Sequence, residues 1–556
     1  MNSAANHYAT TDVLIVGAGP TGLTAATLLA RYSVDFRIVD KNHTAAKRSK
    51  ALGVQARTLE LWDKLGMAAG AVERGQPLKA LNLISKSSLA AGGKPFMALG
   101  RDGKNISPYP YLLIHEQNKT EQMLLDDLAE RTGPKGAYGV ERSTEIVRLE
   151  HDANAVTATL RHEDGTREVV QARYLIAADG AGSFVRKTLG LEFDGATYAD
   201  PLFVADVDMT WPLDRDTFYA QVPRQGMLTF FPMRGDGYSE RQYRIIGRIP
   251  KAWEDKAELT GEDVQSLLDD HSVVKAKINA TQWVSKYRIH RRMTKQFRVG
   301  RIFLAGDAAH IHSPAGGQGM NTGIQDAWNL AWKVALVVKG RADETLLESY
   351  EPERIPVAKA VLNGSDKGFS FIGSPNYMLH LLRSALLPRL TNLASRESLG
   401  KGIFRFLSQT WISYRKSPAV GGDKSSKHVQ PGDRAPYGFL EQGGERVSVF
   451  EFFRGVEHHL LMFEGKEAQA DFDKRCLEAQ AVASYTRVDA QPIKVRADNV
   501  ALHKTYEVSE PTVFLVRPDG YIGYRGALNR PDLLIGYLRR LYRLQAADTA
   551  PHAVAA

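Results

Sequence analysis

Residues 13–40 read VLIVGAGPTGLTAATLLARYSVDFRIVD. The first four residues are an apolar run of the length of a buried strand. Gly17-Ala18-Gly19-Pro20-Thr21-Gly22 follows, then a helical stretch through Tyr32 and a second strand over 36–39 that ends on Asp40. Strand, GxGxxG, helix, strand and acid in that order form the first unit of a Rossmann-type α/β domain. Gly17 allows the tight turn, Gly19 lets a pyrophosphate approach the backbone, and Gly22 lets helix and strand pack closely. Asp40 can accept from ribose hydroxyls. A lone GxGxxG is a weak signal. With strand, helix and acid in place it points to a bound dinucleotide rather than a structural turn.

A second stretch supports this from far along the chain. Residues 301–340 read RIFLAGDAAHIHSPAGGQGMNTGIQDAWNLAWKVALVVKG. An apolar strand over 302–305 breaks at Gly306-Asp307, and a Gly- and Pro-rich loop covers 312–323. An apolar helix is expected from about residue 324 to Gly340, a C-cap. Ala327, Ala331, Val334 and Val338 share one face, and Trp328 and Leu336 cover much of the rest, so the helix is expected to be apolar on most sides and buried. A strand, an acid and a glycine-lined loop on a helix N-terminus suit an anionic or electron-rich ligand held against backbone N–H groups. An ordinary strand-loop-helix connection is the plain alternative.

Between these stretches, Arg48, Lys50 and Arg57 flank a loop before a helix over 58–65, and could reach phosphates. A solvated loop reads equally well there. Residues 112–117 (LLIHEQ) end an apolar run, and 121–129 looks helical. Strand, Asp164-Gly165 turn and strand over 156–178 lead into Asp179-Gly180-Ala181-Gly182-Ser183-Phe184-Val185-Arg186. An acid and glycine at a strand end, then Ser and Arg on a new helix, suit a phosphate-bearing ligand or a simple turn.

Residues 192–290 change character. Strands are expected over 202–209, 218–222, 227–231 and 243–247, with no helix large enough for a βαβ unit between them. This predicts a mostly antiparallel sheet inserted into the nucleotide-binding domain. Residues 287–292 (YRIHRR) lead back to the core. After Gly340, helical segments include 377–393. Residues 415–436 are rich in Lys, Ser, Gly and Pro and end at a boundary, PGDRAP. The final unit has expected strands over 447–450, 459–463 and 512–516 and helices over 468–483 and 531–542.

The chain has 556 residues, enough for several domains, with 43% hydrophobic and 24% charged residues, ordinary for a globular protein. The formal charge of +9 comes from scattered Lys and Arg. It suits small anions, and no module supports nucleic-acid binding. One cysteine, Cys476, excludes an internal disulfide and a cysteine-based metal site, and no metal is expected. The apolar run at 13–29 is broken by glycines and follows an acid, so it reads as neither a signal peptide nor a membrane span. A cytoplasmic protein is expected.

GAGPTG at Gly17, DGAGSFVR at Asp179 and GDAAHIHSPAGGQGMNTGIQDAWNLAWK at Gly306 stand in order. Together they resemble the single-component FAD-dependent aromatic hydroxylases, over about residues 10–415. The tail from Pro431, with PGDRAP and RPDGYIGYR, resembles the thioredoxin-like C-terminal domain of the phenol hydroxylase branch, without any CxxC. The implied fold is an α/β Rossmann-type FAD-binding domain (10–80, 105–191 and 285–415, with a helical extension) and an inserted, mostly antiparallel β-sheet substrate domain (81–104 and 192–284). A linker (416–430) and a thioredoxin-like α/β domain (431–545) complete it.

The resemblance also implies roles. Gly17, Gly19 and Gly22 would hold the FAD pyrophosphate and Asp40, where most relatives have Glu, the adenosine ribose. Arg48 and Gln117 match positions that contact the flavin nucleotide or ribityl chain. Gly306 and Asp307 would bond the ribityl or pyrophosphate region. Pro314 would flank the reactive flavin edge, with Gly319, Met320 and Asn321 beside the pyrimidine ring. Asp179 and Arg186 belong to a motif tied to FAD and NAD(P)H, and Lys50 stands where many relatives have Arg.

The implied reaction uses FAD, with NADPH or NADH and O2, to hydroxylate a small phenolic substrate through a flavin C4a-hydroperoxide. The site must exclude water and favour the phenolate. Gln55 occupies a position that varies with substrate. Tyr287 or His290 would relay the phenolic proton, or Arg288 would stabilise the phenolate; interdomain or surface pairing is the alternative for Arg288 and His290. Phe218, Met227 and Phe231 could line an apolar pocket or be plain core. A tailoring hydroxylase or epoxidase of a larger polyketide-like substrate, and a non-catalytic flavoprotein sensor, are the competing functions. No WxWxIP stretch supports a halogenase. A homodimer through the last domain is expected by resemblance.

Overall fold

The computed structural model describes residues 8–46, 51–85, 96–198, 200–221, 227–235, 241–313, 315–373 and 397–543. The expected helix over 377–393 lies outside them, as do Arg48, Lys50 and Pro314.

Strand Ala9–Val16 pairs in parallel with Phe36–Val39 on one side and Arg167–Ala177 on the other, and Arg167–Ala177 pairs in parallel with Ile302–Leu304. The register aligns Val16 with Val39 and Ala177, and Ala177 with Leu304. Four strands therefore end level, and the chain leaves them at Gly17, Asp40, Ala178 and Ala305. Val13, Leu14 and Ile15 are fully buried, as a parallel strand covered on both faces requires. Helix Pro20–Arg31 covers this sheet. Pro20 opens it, where a fixed φ costs nothing, and nine of its twelve residues are buried.

The long helix runs Gln318–Val338, starting about six residues before the expected boundary and leaving the expected loop correspondingly shorter. Its apolar side matches expectation, but one face carries Thr322, Gln325, Asp326, Asn329 and Lys333, none more than 3% exposed. This buried polar stripe, spaced at three and four residues, corrects the reading of a helix apolar on most sides. Its partners lie on helix Tyr350–Gly373, on residues near 409 and in the C-terminal unit.

The inserted sheet has seven strands in the order Lys277–Tyr287, Leu202–Thr210, Gln242–Arg248, Leu228–Pro232, Thr217–Gln221, Ala80–Leu83 and Met97–Ala98. All neighbours are antiparallel except Thr217–Gln221 and Ala80–Leu83. On one face Phe203, Ala205, Val207, Phe230 and Ile245 form a core with Val264, Leu267 and Leu268 of helix Gly261–His271. The helix lies beyond the strands expected over 202–247, and no element is expected there from the sequence. Eleven residues with only three buried apolar positions give a weak pattern, and a capping box of Thr260 and Asp263 fixes its start. The opposite face carries Phe218, Phe231, Arg244, Asp206, Trp283 and Tyr287. Phe218 and Phe231 pack against Leu52, Leu78 and Ile114, so this face looks onto the nucleotide unit.

In the C-terminal unit, strands His458–Phe463 and Ala490–Val495 are parallel, while His458–Phe463, Thr512–Val516 and Ile522–Ala527 are antiparallel in turn. Numbering these four by sequence gives the order 2-1-3-4, with helix Phe472–Tyr485 crossing between the first two and Pro531–Leu541 following the last. That is the thioredoxin-like arrangement. Gly421–Gly422, within the expected linker, adds an edge to this sheet. The strand expected over 447–450 is instead the end of strand Glu445–Ser448 and a short helix, Val449–Phe452.

Candidate active site

The four level strand ends bring Gly17–Gly19, Asp40, Asp179–Gly180 and Gly306–Asp307 to one edge of the parallel sheet. Ligands of open α/β sheets bind outside the carboxyl ends of the strands. Gly17 sits at φ +100°, and a Cβ on it would collide with the Ala178 carbonyl; a Cβ on Gly22 would collide with the Gly17 carbonyl. These two glycines serve the turn and the packing. Gly19 differs: a Cβ there would meet no atom within 4 Å. Its lack of a side chain answers to nothing in the protein, which fits a cradle for a ligand. Asp40 accepts from Ala18 N at 2.7 Å and Asn42 N at 2.8 Å, so the acid is tied directly to the glycine turn.

Asp179 accepts from Val185 N at 3.2 Å through one oxygen, while its Oδ1 is buried without a partner. Burial raises its pKa above the ordinary carboxylate range. Arg186 donates to Ala308 O and Ala181 O, both at 2.8 Å, and its guanidinium lies over the Phe193 ring. It stitches the Asp179 loop to the Gly306 turn. Burial lowers its pKa, and Arg292 pushes the same way. Asp307 is exposed on the turn Gly306–Ala308. Gln117 opens helix Gln117–Ala129, accepts from Ala51 N at 3.2 Å and donates to Glu121 at 2.9 Å.

The helix start at Gln318 brings Gly319, Met320 and Asn321 together. Met320 packs partly buried against the main core. Asn321 is fully buried and uses its whole side chain: Oδ1 accepts from Gln55 N (2.8 Å) and Thr58 Oγ1 (2.7 Å), and Nδ2 donates to Gly53 O (2.8 Å) and Gly317 O (2.7 Å). Gln55 is also buried and donates from Nε2 to Gly316 O at 2.7 Å. Asn321 and Gln55 thus sew the glycine loop to the residue 53–58 segment.

A cluster beneath this loop was not singled out from the sequence. Asp326 accepts from Gly306 N (3.0 Å), and is paired with His310 Nε2 (2.6 Å) and Arg354 Nε (2.6 Å). Burial opposes its ionisation, but Arg354 and His310 outweigh burial and hold its pKa down to about 2. His310 is hydrogen-bonded through Nδ1 to His312 Nε2 at 2.8 Å, and burial keeps His312 neutral. Asp326 therefore anchors the Gly306 turn. The available signal was an acid inside an apolar helix, which demands a partner.

On the face of the inserted sheet turned to the nucleotide unit, Arg244 is 1% exposed and donates to both oxygens of Asp206, at 2.6 and 2.7 Å, while Trp283 Nε1 donates to Asp206 at 2.7 Å. Tyr287 lies on the same face, and burial raises its pKa. Arg288 and His290 are exposed, and His290 bonds Thr197 Oγ1 at 2.8 Å. Tyr287 ends strand Lys277–Tyr287 and Arg288 lies just beyond it, outside that sheet. The Phe218 and Phe231 rings touch at a 45° tilt with centroids 4.7 Å apart; Met227 is half-buried just before strand Leu228–Pro232.

Residues 10–365 match the family described as an FAD binding domain, and residues 428–542 match that described as aromatic-ring hydroxylase, C-terminal. Pentachlorophenol 4-monooxygenase of Sphingobium chlorophenolicum is 30% identical over 564 aligned positions, covering 96% of this chain and 97% of that protein. 6-Methylpretetramide 4-monooxygenase of Streptomyces rimosus is 32% identical, covering 98% and 95%. Among solved structures, the OxyS anhydrotetracycline hydroxylase of Streptomyces rimosus superposes with a TM-score of 0.72 at 27% identity, covering 97% of this chain and all of that one.

Proposed function

The chain belongs to the FAD-dependent aromatic-ring hydroxylases, flavin monooxygenases, and on that premise we propose that it hydroxylates a phenolic ring, consuming NAD(P)H and O2. The observation that carries this reading is the alignment of three loops, after Val16, Ala177 and Leu304, at the carboxyl ends of adjacent parallel strands. Gly17, Gly19 and Asp40 would hold the adenosine diphosphate half of FAD, and Asp307, Gly319 and Met320 the flavin half. Bound FAD supplies the redox chemistry, taking two electrons from NAD(P)H and passing them to O2.

The chain's own residues do the rest. Asn321, Gln55 and Asp326 hold the glycine loop and the Gly306 turn in place, so the cofactor meets a preorganised surface. Leu52, Leu78, Ile114, Phe218 and Phe231 make an apolar floor that keeps water from the reacting ring. Arg244 spends its charge on Asp206, so it orders the sheet rather than stabilising a phenolate. Tyr287, kept protonated by burial, is the group of the Tyr287–His290 segment suited to hydrogen-bond a phenolic oxygen. Arg288 and His290 remain candidates only with a rearrangement of that segment. Association as a homodimer and a cytoplasmic location belong to the same proposal. Among the described residues no helix is long and apolar enough to cross a membrane.

A polycyclic, polyketide-like substrate is the second reading, favoured by the tetracycline-directed names among the relatives. The test is NADPH and NADH oxidation by FAD-loaded protein against panels of substituted phenols and of polycyclic phenols, with product masses. A product heavier by one oxygen from a simple phenol supports the first reading. Stimulation by polycyclic compounds alone moves the second ahead.

A further inference from the structure

An open groove of about 490 Å³ lies between the strand pair Asp194–Thr197 and His290–Met293 and the helix Tyr350–Gly373. Arg291, Arg292, Lys295 and Lys359 line it, against the single acid Asp194. Lys295 is already paired with Glu192 at 3.0 Å and with Asp194 at 3.2 Å, which uses up that acid. Among the described residues neither Arg292 nor Lys359 has an ion pair or side-chain hydrogen bond. Two cations thus face one cavity from opposite walls without a counter-charge.

The floor of the groove is built open. Gly195 stands opposite Arg292 in the strand register, and a Cβ on it would collide with the Arg291 carbonyl. The close approach of the two strands therefore requires glycine, and no side chain at 195 covers Arg292. Arg292 is also the register partner of Ile311, in the strand that leaves the Gly306–Asp307 turn. The groove is one strand away from the loops assigned to FAD. Behind it Arg186, depressed in pKa by burial and by Arg292, adds to the positive field.

A dianionic phosphate is the ligand that two unpaired cations in an open groove select. NADPH carries such a phosphate on its adenosine ribose, and NADH does not. The sequence has no second dinucleotide fingerprint to receive either coenzyme. We propose that this groove receives the adenosine 2′-phosphate of NADPH, paired with Arg292 and Lys359, and thereby makes NADPH the preferred coenzyme. The inference rests on the chain being an NAD(P)H-consuming monooxygenase.

The test uses FAD-loaded full-length protein, with 2′,5′-ADP and 5′-ADP as unreactive probes. 2′,5′-ADP is expected to bind at least tenfold more tightly than 5′-ADP. Arg292→Gln and Lys359→Glu are each expected to raise the KM for NADPH about tenfold while moving that for NADH less than about twofold. Flavin content and thermal midpoint report that the variants fold. Equal KM values for the two coenzymes in the parent protein, or an unchanged NADPH KM in both variants, overturns the proposal. Consumption of neither coenzyme overturns the monooxygenase reading instead. In that case Lys359-dependent binding of 2′,5′-ADP still supports the groove as a phosphate site, and its absence removes it.

Discussion

Arg517 grips Glu353 with two hydrogen bonds, Nη1 to Oε1 at 2.6 Å and Nη2 to Oε2 at 2.9 Å, with both side chains essentially out of solvent. Glu353 also receives Lys333 Nζ at 2.7 Å, Asn329 Nδ2 at 2.5 Å and Ser417 Oγ at 2.6 Å. Burial alone would favour the neutral acid, but Arg517 and Lys333 keep it ionised. Arg517 comes from the C-terminal unit, and Lys333 and Asn329 from the long helix below the glycine loop.

Removing that acid leaves buried Lys333 without its ion pair and Arg517 with Asp519 alone. Glu353→Gln should cost about 3–5 kcal/mol, whereas an apolar replacement of the whole cluster, Lys333, Glu353, Arg517 and the Asp519 that Arg517 also pairs, should recover most of it. Urea denaturation measures both. A loss under about 1 kcal/mol for the single change would mean water reaches the cluster.

Gly17 and Gly19 separate folding from binding. Gly17→Ala meets backbone and a positive φ, so it should yield little folded protein. Gly19→Ala has room in the protein, so it should fold with an ordinary thermal midpoint yet lose FAD. Full flavin content in purified Gly19→Ala would show that no pyrophosphate lies there.

Asn321→Ala deletes four hydrogen bonds and leaves buried backbone and hydroxyl groups unpaired. Flavin fluorescence titration should show an FAD dissociation constant raised about tenfold or more, with a stability loss of about 2–4 kcal/mol. If affinity holds while stability drops, Asn321 is purely a structural staple.

Stability should rise with pH above neutrality. Burial, seconded by Arg57, lowers the Lys64 pKa to about 7; burial lowers that of Lys333 to about 8, with Glu353 resisting. An unfolded lysine titrates near ~10.4. Between these values the unfolded chain binds more protons, so each pH unit adds up to about 1.4 kcal/mol per lysine. Urea midpoints at pH 7 and 9 should differ in that direction, and Lys64→Met should flatten the part between 7 and 8. A flat parent profile contradicts this.

Tyr287→Phe should keep FAD but lower substrate-stimulated turnover about 10²-fold, if its hydroxyl meets the phenol. Steady-state rates with flavin content as control decide it. An unaltered rate leaves the phenolic proton to water or to another group.

Much of this architecture was readable along the chain because its signals are local. Gly17, Asp179 and Gly306 each follow a short apolar strand, and a glycine or acid at a strand end needs no distant residue to be noticed. The helix from Gln318 began earlier than its apolar pattern suggested because Asn321 and Thr322 look like loop residues until their partners are known. Asn321 reaches residues 53–58, up to 268 positions away, and Thr322 reaches Gln409, 87 away, while Asp326, Asn329 and Lys333 find partners 16 to 28 positions away. The three polar residues near the sheet's return, Tyr287, Arg288 and His290, looked equivalent in sequence. A change of sheet after Tyr287 sets them on different surfaces. The Gly261–His271 helix stayed hidden because three buried apolar side chains make a faint stripe.

The same stripe of polar side chains that runs from Thr322 to Lys333 decides where this protein can be cut. A designer swapping final domains between relatives would place the seam in the Ser- and Lys-rich connector near residues 416–430. The working seam runs instead through the middle of the nucleotide unit, because Arg517 closes a charge cluster rooted about three to four turns below the glycine loop. A graft that lacks an arginine at that place, or meets a long helix without its lysine, inherits an unbalanced buried charge under the glycine loop. The last domain behaves as a keystone, and shortening the chain before it removes the support on which the glycine loop stands.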